Sequence, residues 1–155
     1  MSLDDLIKAL GIDLGLKQLH LDSDTNAIRL QFNDDLEVEF EEPHSSGYIF
    51  IHSVVGRLST DCSKAILLHI AHANLFGQET GGAVLGYDAA KEELLLFMRF
   101  HSCDVSFQVF RAEFERFLNA LRKWRLQLQN DNMQPGDGRG ITDFGGARAL
   151  SYVKV

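Results

Sequence analysis

The sequence between positions 28 and 41 reads IRLQFNDDLEVEFE. Apolar and polar residues alternate on both sides of the polar stretch at 33–35, and this period of two is typical of two antiparallel strands joined by a short turn. The apolar residues fall on one face and the charged residues on the other, which predicts one buried face and one face in water. The stretch therefore favours an antiparallel sheet that is covered on one side.

Helices are predicted on either side of this hairpin. Before it, leucine and isoleucine recur at helical spacing over residues 3–10, behind Ser2 as a candidate N-cap with Asp5 three residues further on. After it, the same criteria predict strands at 48–55, 81–87 and 94–101 and helices at 61–76 and 105–129. The order α-β-β-β-α-β-β-α predicts an α+β sandwich with a mainly antiparallel sheet.

The chain changes in composition after residue 129. Residues 130–140 are rich in glycine, asparagine and aspartate, as flexible linkers are, and only scattered apolar residues follow at 141–155. We therefore predict a folded domain at 1–129 and a Gly-rich linker with a C-terminal tail at 130–155. The tail is expected to be either disordered or docked on the domain.

Composition and charge exclude several classes of protein. The 155 residues have a mass of 17.4 kDa, about one domain, and a net charge of −7. This negative charge argues against nucleic acid as a partner. Residues 1–42 alone hold eleven acidic and three basic side chains, which form either a solvated face or a surface that favours basic partners. The apolar runs are too short to insert into a membrane, the N-terminus lacks the basic region of a signal peptide, and two cysteines form no disulfide framework. We expect a cytoplasmic protein.

The predicted helix at 61–76 is apolar on nearly all sides. Such a helix must be buried on more than one face, and the sheet of a small domain covers only one. The second face needs either a further layer of the same chain or a second subunit. We take a second subunit as the better interpretation.

The sequence contains residue types that form catalytic and metal sites in other proteins, but they are not grouped as such a site requires. His69 and His72 share a helix face, but no spaced third and fourth ligand accompanies them. The segment 101–104 holds histidine, serine, cysteine and aspartate, but neighbours in a strand point to opposite faces, so a helix cap explains them better than a triad. The glycines at 81–82 and 136–146 lack the spacing of phosphate loops. We expect a binding protein without catalytic activity, cofactor or metal.

Three further stretches carry a resemblance to a known family. They are the sequence AHANLFG at 71–77, the sequence TGGAVLGYD at 80–88 and the strand predicted at 94–100. Together with the long last helix that carries Trp124 near its end, they resemble the signature region of class I type III secretion chaperones, the Tir chaperone family. The resemblance covers about residues 1–129.

The resemblance implies a homodimer, with the second helix and the strand after it at the two-fold axis. That expectation agrees with the helix that is apolar on all sides. The positions of this chain that match the family's interface are Ile66, His69, Ile70, Ala73, Asn74, Phe76, Val84 and Leu85.

The resemblance also implies a function. The dimer would bind the N-terminal chaperone-binding segment of a secreted effector in extended form, without catalysis or ATP, and keep it ready for the secretion ATPase. The expected groove lies at the first helix and hairpin, although alternate strand residues fill cores more often than grooves. Its expected partner-binding residues are Leu6, Leu10, Ile28, Leu30, Phe32, Leu36 and Val38. The alternatives are a dimeric regulatory adaptor of the same fold that sequesters another secretion-system regulator, and a small α+β enzyme or ligand-binding domain.

Overall fold

A computed structural model describes residues 1–16, 19–32, 36–44, 46–132 and 152–154 of the chain. The described elements, in chain order, are α1 (Leu3–Asp13), β1 (Ala27–Phe32), β2 (Leu36–Glu41), β3 (Tyr48–Arg57), α2 (Lys64–Ala73), a 3₁₀ turn (Leu75–Gly77), β4 (Val84–Asp88), β5 (Glu93–His101), α3 (Phe107–Asn132) and β6 (Tyr152–Lys154). The predicted order and the α+β class are confirmed, and β6 is an addition to them.

The strands form one sheet in the order β4-β5-β3-β2-β1-β6. The first four pairings along this order are antiparallel. The pairing of β6 with β1 at the far edge is parallel. The predicted hairpin is β1 and β2, and its register places Leu30 opposite Val38 and Arg29 opposite Glu39, as the alternating pattern requires.

The hydrophobic core lies between one face of the sheet and the helices α1 and α3. The phenylalanines of α3 pack against those of the hairpin, with ring centroids of Phe114 at 5.2 Å from both Phe32 and Phe40. Gly56 of β3 lets α3 come close to the sheet, because a Cβ atom at this position would lie 2.8 Å from Cδ2 of Leu128. Two layers are therefore enough to bury the apolar face of the hairpin.

The first helix begins as its sequence predicts and ends later. Ser2 accepts a hydrogen bond from the backbone N–H of Asp5 at 3.3 Å, and the Asp5 carboxylate accepts one from the backbone N–H of Ser2 at 3.2 Å. This is a capping box. The helical spacing predicts a helix over residues 3–10, but α1 continues to Asp13 and Gly11 is buried within it.

The other face of the hairpin carries paired charges. The guanidinium of Arg29 lies 3.2 Å from the carboxylate of Glu37 and 2.6 Å from that of Glu39. Glu39, Glu41 and His52 bring their ligand atoms within 4.8 Å of one another, but the ion pair with Arg29 accounts for the position of Glu39. We read this cluster as a surface ion-pair network, each pair of which contributes little to stability.

The second and third helices differ in their bounds from the sequence prediction, and β3, β4 and β5 differ by one to three residues. The helix predicted at 61–76 is the shorter α2, which begins after the N-cap Ser63. It is followed by the 3₁₀ turn, where the left-handed backbone of Phe76 stops the helix from continuing. The last helix, predicted to end at 129, continues to Asn132. Most of the predicted linker and tail lies outside the described residues.

Candidate partner-binding surface

The helix α2 packs on the domain by one face only. Ile66, Ile70 and Ala73 follow helical spacing and pack against the core, and Ala73 alone of the ten residues of α2 is buried. Leu67 and Leu68 point away from the core and are 51% and 59% exposed. The second apolar face of this helix is thus uncovered in the single chain, as the all-round apolar pattern predicted.

The 3₁₀ turn after α2 presents an aromatic ring to the solvent. Phe76 is 86% exposed, and its φ of 56° lies in the left-handed region. Gly77 follows with a φ of 66°, and a Cβ atom there would lie 2.9 Å from Cα of Gly82. A left-handed backbone costs a residue with a side chain about 1–2 kcal/mol. An exposed phenylalanine held at that cost is typical of a functional site.

The side chain of Asn74 fixes this turn to the edge of the sheet. Its Nδ2 donates to the carbonyl oxygen of Leu85 at 3.0 Å, and its Oδ1 accepts from the Leu85 N–H at 2.8 Å. Asn74 therefore satisfies two backbone groups of β4 that a neighbouring strand would otherwise pair. Next to it, the Thr80 hydroxyl donates to the Ala83 carbonyl and closes the turn that leads into β4.

Six large apolar side chains are exposed on α2, the 3₁₀ turn and β4. We call this set the α2–β4 surface: Leu67, Leu68, Leu75, Phe76, Val84 and Tyr87. The set lies on three consecutive elements, and Val84 and Tyr87, three residues apart in β4, point to opposite faces of the sheet. Scattered exposed apolar residues are ordinary, but a group of this size is a candidate site for a protein partner. The Asn74–Leu85 pair holds these elements in a fixed relation.

Glu79 joins the α2–β4 surface to α3. Its carboxylate lies 3.5 Å from Nε2 of His69, 3.6 Å from Nε2 of His72 and 3.2 Å from Nζ of Lys123. The hydrogen bond from Lys123, and more weakly that from His69, lowers the pKa of Glu79. The indole N–H of Trp124 donates to the Glu79 carbonyl oxygen at 3.0 Å. The two histidines therefore serve as partners of Glu79, in agreement with a structural role.

The eight residues that match the family's dimer interface occupy three environments. Phe76 and Val84 are exposed, whereas Ile66, His69, Ile70 and Asn74 are half-buried. Ala73 and Leu85 are buried inside the subunit, so their side chains offer an interface no free surface. The exposed Leu67, Leu68, Leu75 and Tyr87 are not among these eight positions, although the first three belong to the pattern that made the helix apolar on all sides.

The seven residues expected to bind a partner lie together in the core. Each of Leu6, Leu10, Ile28, Leu30, Phe32, Leu36 and Val38 is at most 6% exposed. They pack α1 onto β1 and β2, and their role toward a partner stays a prediction. The exposed apolar residues of that region are instead Ile12 and Leu14, at the end of α1.

Comparison with known proteins identifies the family. The Tir chaperone protein (CesT) family matches residues 5–125 of the chain. The Tir chaperone of Escherichia coli O157:H7 is 34% identical over 86 residues, which are 56% of this chain and 54% of that protein. The chain thus spans about half the length of this relative.

Solved structures share the fold at low sequence identity. A chain of the HopA1–SchA chaperone–effector complex has a TM-score of 0.66 at 13% identity, over 79% of this chain and 91% of its own length. A chain of the complex between the Yersinia pestis type III secretion chaperone SycH and a fragment of YscM2 has a TM-score of 0.62 at 16% identity, over 78% and 98%.

Within the described residues, every helix is too short or too polar to cross a bilayer. The family match extends from α1 to the last turns of α3 and takes in the Asn74 turn and β4. The chain belongs to the Tir chaperone protein (CesT) family of type III secretion chaperones.

Proposed function

We propose that this protein acts in the cytoplasm as a homodimer. It binds the N-terminal chaperone-binding segment of a secreted effector, without catalysis or ATP hydrolysis, and keeps that segment soluble for the secretion ATPase. The observation that carries the proposal is the α2–β4 surface, an exposed apolar face on a chain of this family. A protein that binds an unfolded client as a dimer needs such a surface for contact between its subunits, and it needs no group of catalytic residues.

The α2–β4 surface is best matched by a second copy of itself. Helices and turns that expose leucine and phenylalanine can pair around a two-fold axis, where each side chain is buried twice. Complete burial of one phenylalanine side chain contributes about 1.5–3 kcal/mol. Phe76 of each subunit would supply that contribution, and the exposed Leu68 would add to it.

The client segment is proposed to bind at the other end of the sheet. The strongly acidic first 42 residues favour a basic segment and speed its approach. Ile12 and Leu14 offer exposed apolar contacts at the end of α1, while the seven core residues named above hold α1 in place. A chain related in fold occurs in a chaperone–effector complex, HopA1–SchA.

Co-expression tests this function. The chain is produced together with the N-terminal segment of a secreted effector, and a C-terminal fragment of the same effector serves as the control. We expect the N-terminal segment alone to be soluble and to co-purify with the chain. A chain that recovers both fragments equally, or neither, would contradict the proposal. Recovery of a regulator that is not itself exported would favour the regulatory adaptor.

A further inference from the structure

The C-terminal end of the chain forms a strand on the edge of the sheet. In β6, Tyr152 lies opposite Arg29, Val153 opposite Leu30 and Lys154 opposite Gln31 of β1. The direction is parallel, whereas β1 and β2 are antiparallel. The strand is reached only through residues 133–151, so a distant part of the sequence covers this edge.

Without β6, β1 would be the edge strand of the sheet. An edge strand presents unpaired N–H and C=O groups, and these accept an added strand from another chain. Parallel pairing is slightly weaker per residue than antiparallel pairing, and β6 has only three residues. A short parallel strand of this kind pairs weakly with the edge, so another strand can displace it.

The charge of the last twelve residues is opposite in sign to that of the hairpin beside β6. Residues 144–155 hold two basic side chains, Arg148 and Lys154, and no acidic one. Lys154 occupies the register position opposite Gln31, whose partner on the other side is Glu37. Residues 144–155 thus have the basic character that the acidic hairpin favours in a client.

From these observations we propose that residues 152–154 are a built-in substitute for a client strand. They occupy the edge of β1 when no client is present, and a client strand displaces them. The part of this inference that concerns a client strand rests on the proposed function. Tethering keeps the tail at an effective concentration of about 1 mM near its site. If residues 152–154 occupy the β1 edge in about nine tenths of the molecules, the apparent affinity of a competing strand falls about tenfold.

The test uses the full chain with the double substitution Y152P/V153P. Proline has no N–H to donate, and consecutive N–H groups of a strand point to opposite edges. Replacing both residues therefore removes a donor toward β1 whichever of them faces it. The matched control is A147P/A149P, which makes the same chemical change outside β6.

The first readout is binding of a fluorescent peptide with the tail's own sequence, residues 148–155. By fluorescence anisotropy we expect the Y152P/V153P chain to bind it about tenfold more tightly than the wild-type chain or the A147P/A149P control. A peptide that itself carries both prolines should lose this binding. Equal affinity of the peptide for all three chains, or no binding to any, would overturn the inference.

The second readout is amide hydrogen exchange in the β1 peptide, residues 27–32. We expect faster exchange in Y152P/V153P than in either other chain, at the amides that do not face β2. Unchanged exchange would also overturn the inference. Both readouts use only this chain and its own peptide, so they are independent of any effector. If they succeed while no effector segment binds, the proposed function fails and the cover of the β1 edge stands.

Discussion

Replacing Asn74 by alanine tests whether this side chain ties the 3₁₀ turn to the edge of the sheet. The substitution removes both hydrogen bonds to Leu85, at 3.0 and 2.8 Å, and leaves the N–H and C=O of that residue without their partner. A net hydrogen bond contributes about 0.5–1.5 kcal/mol, and an unpaired group that stays buried costs about 1–3 kcal/mol. Since the site is only partly buried and water can reach it, we expect a loss of about 2 kcal/mol.

The assay is urea unfolding at a fixed protein concentration, because a dimer's stability depends on the concentration of its subunits. A loss of about 2 kcal/mol corresponds to a fall of about 1 M in the midpoint for a typical urea slope. Asn119→Ala is the matched control, because Asn119 is exposed on α3 and makes one long hydrogen bond of 3.5 Å to Arg122. Its stability should stay within about 0.5 kcal/mol of the wild type.

Hydrogen exchange at the Leu85 amide supplies the local measurement. In Asn74→Ala this amide should exchange faster, because its acceptor on the side chain is gone, while Asn119→Ala leaves it protected. If Asn74→Ala unfolds like the wild type and the Leu85 amide keeps its protection, Asn74 does not hold β4 and the reasoning is refuted.

Three further predictions concern the turn, the ion pairs and the core. Phe76→Gly should stabilise the isolated subunit by about 1 kcal/mol, because glycine adopts the left-handed backbone without strain. It should also weaken self-association at least tenfold in dilution experiments, whereas Leu126→Ala, a truncation on the exposed face of α3, should do neither. The lowered pKa of Glu79 contributes stability that is present above pH 4.5 and is lost as the pH falls through the lower folded-state pKa. Glu79→Gln should therefore reduce the loss of thermal stability at acidic pH. An unchanged loss at acidic pH would contradict the pairing of Glu79. Gly56→Ala should lower the free energy of unfolding in urea by about 1–3 kcal/mol, because the new Cβ would lie 2.8 Å from Cδ2 of Leu128. Adding Leu128→Ala should remove the clash but leave a cavity, so the effects of the two substitutions should not add.

Much of the fold follows from local patterns. The alternation in the hairpin predicts its pairing and its buried face, and the Ser2–Asp5 spacing predicts the capping box, because both depend only on near neighbours in the chain. The interruption after α2 could not be predicted. Phenylalanine is a poor residue for a left-handed backbone, so the sequence at Phe76 favours a continuous helix there.

The candidate sites were harder to predict than the fold. A period of two shows which strand residues share a face, but it cannot distinguish a buried core from an open groove. The residues expected to bind a partner, Leu30 and Val38 among them, are buried in the core. The apolar character of α2 correctly indicated an uncovered face, yet the exposed residues are Leu67 and Leu68 rather than their neighbours Ile66 and Ile70. Only the direction in which the helix packs decides between them.

The strand β6 had no signal of its own in the sequence. Three residues are too few for periodicity to be recognised, and the segment around them carries turn-forming glycines. Its place beside β1 depends on a pairing between residues that are more than a hundred positions apart. Sequence patterns are local, and an edge that can accept a strand is a property of the assembled sheet.

The central claim is that the α2–β4 surface joins two copies of this chain, and light scattering at micromolar concentration tests it most directly. We predict a mass of twice 17.4 kDa for the wild type and 17.4 kDa for Leu68→Asp, whose side chain is 59% exposed in the subunit, so that the substitution leaves the core intact. Circular dichroism should show both proteins folded. A wild-type mass of 17.4 kDa, or a folded Leu68→Asp protein that stays dimeric, would contradict the account.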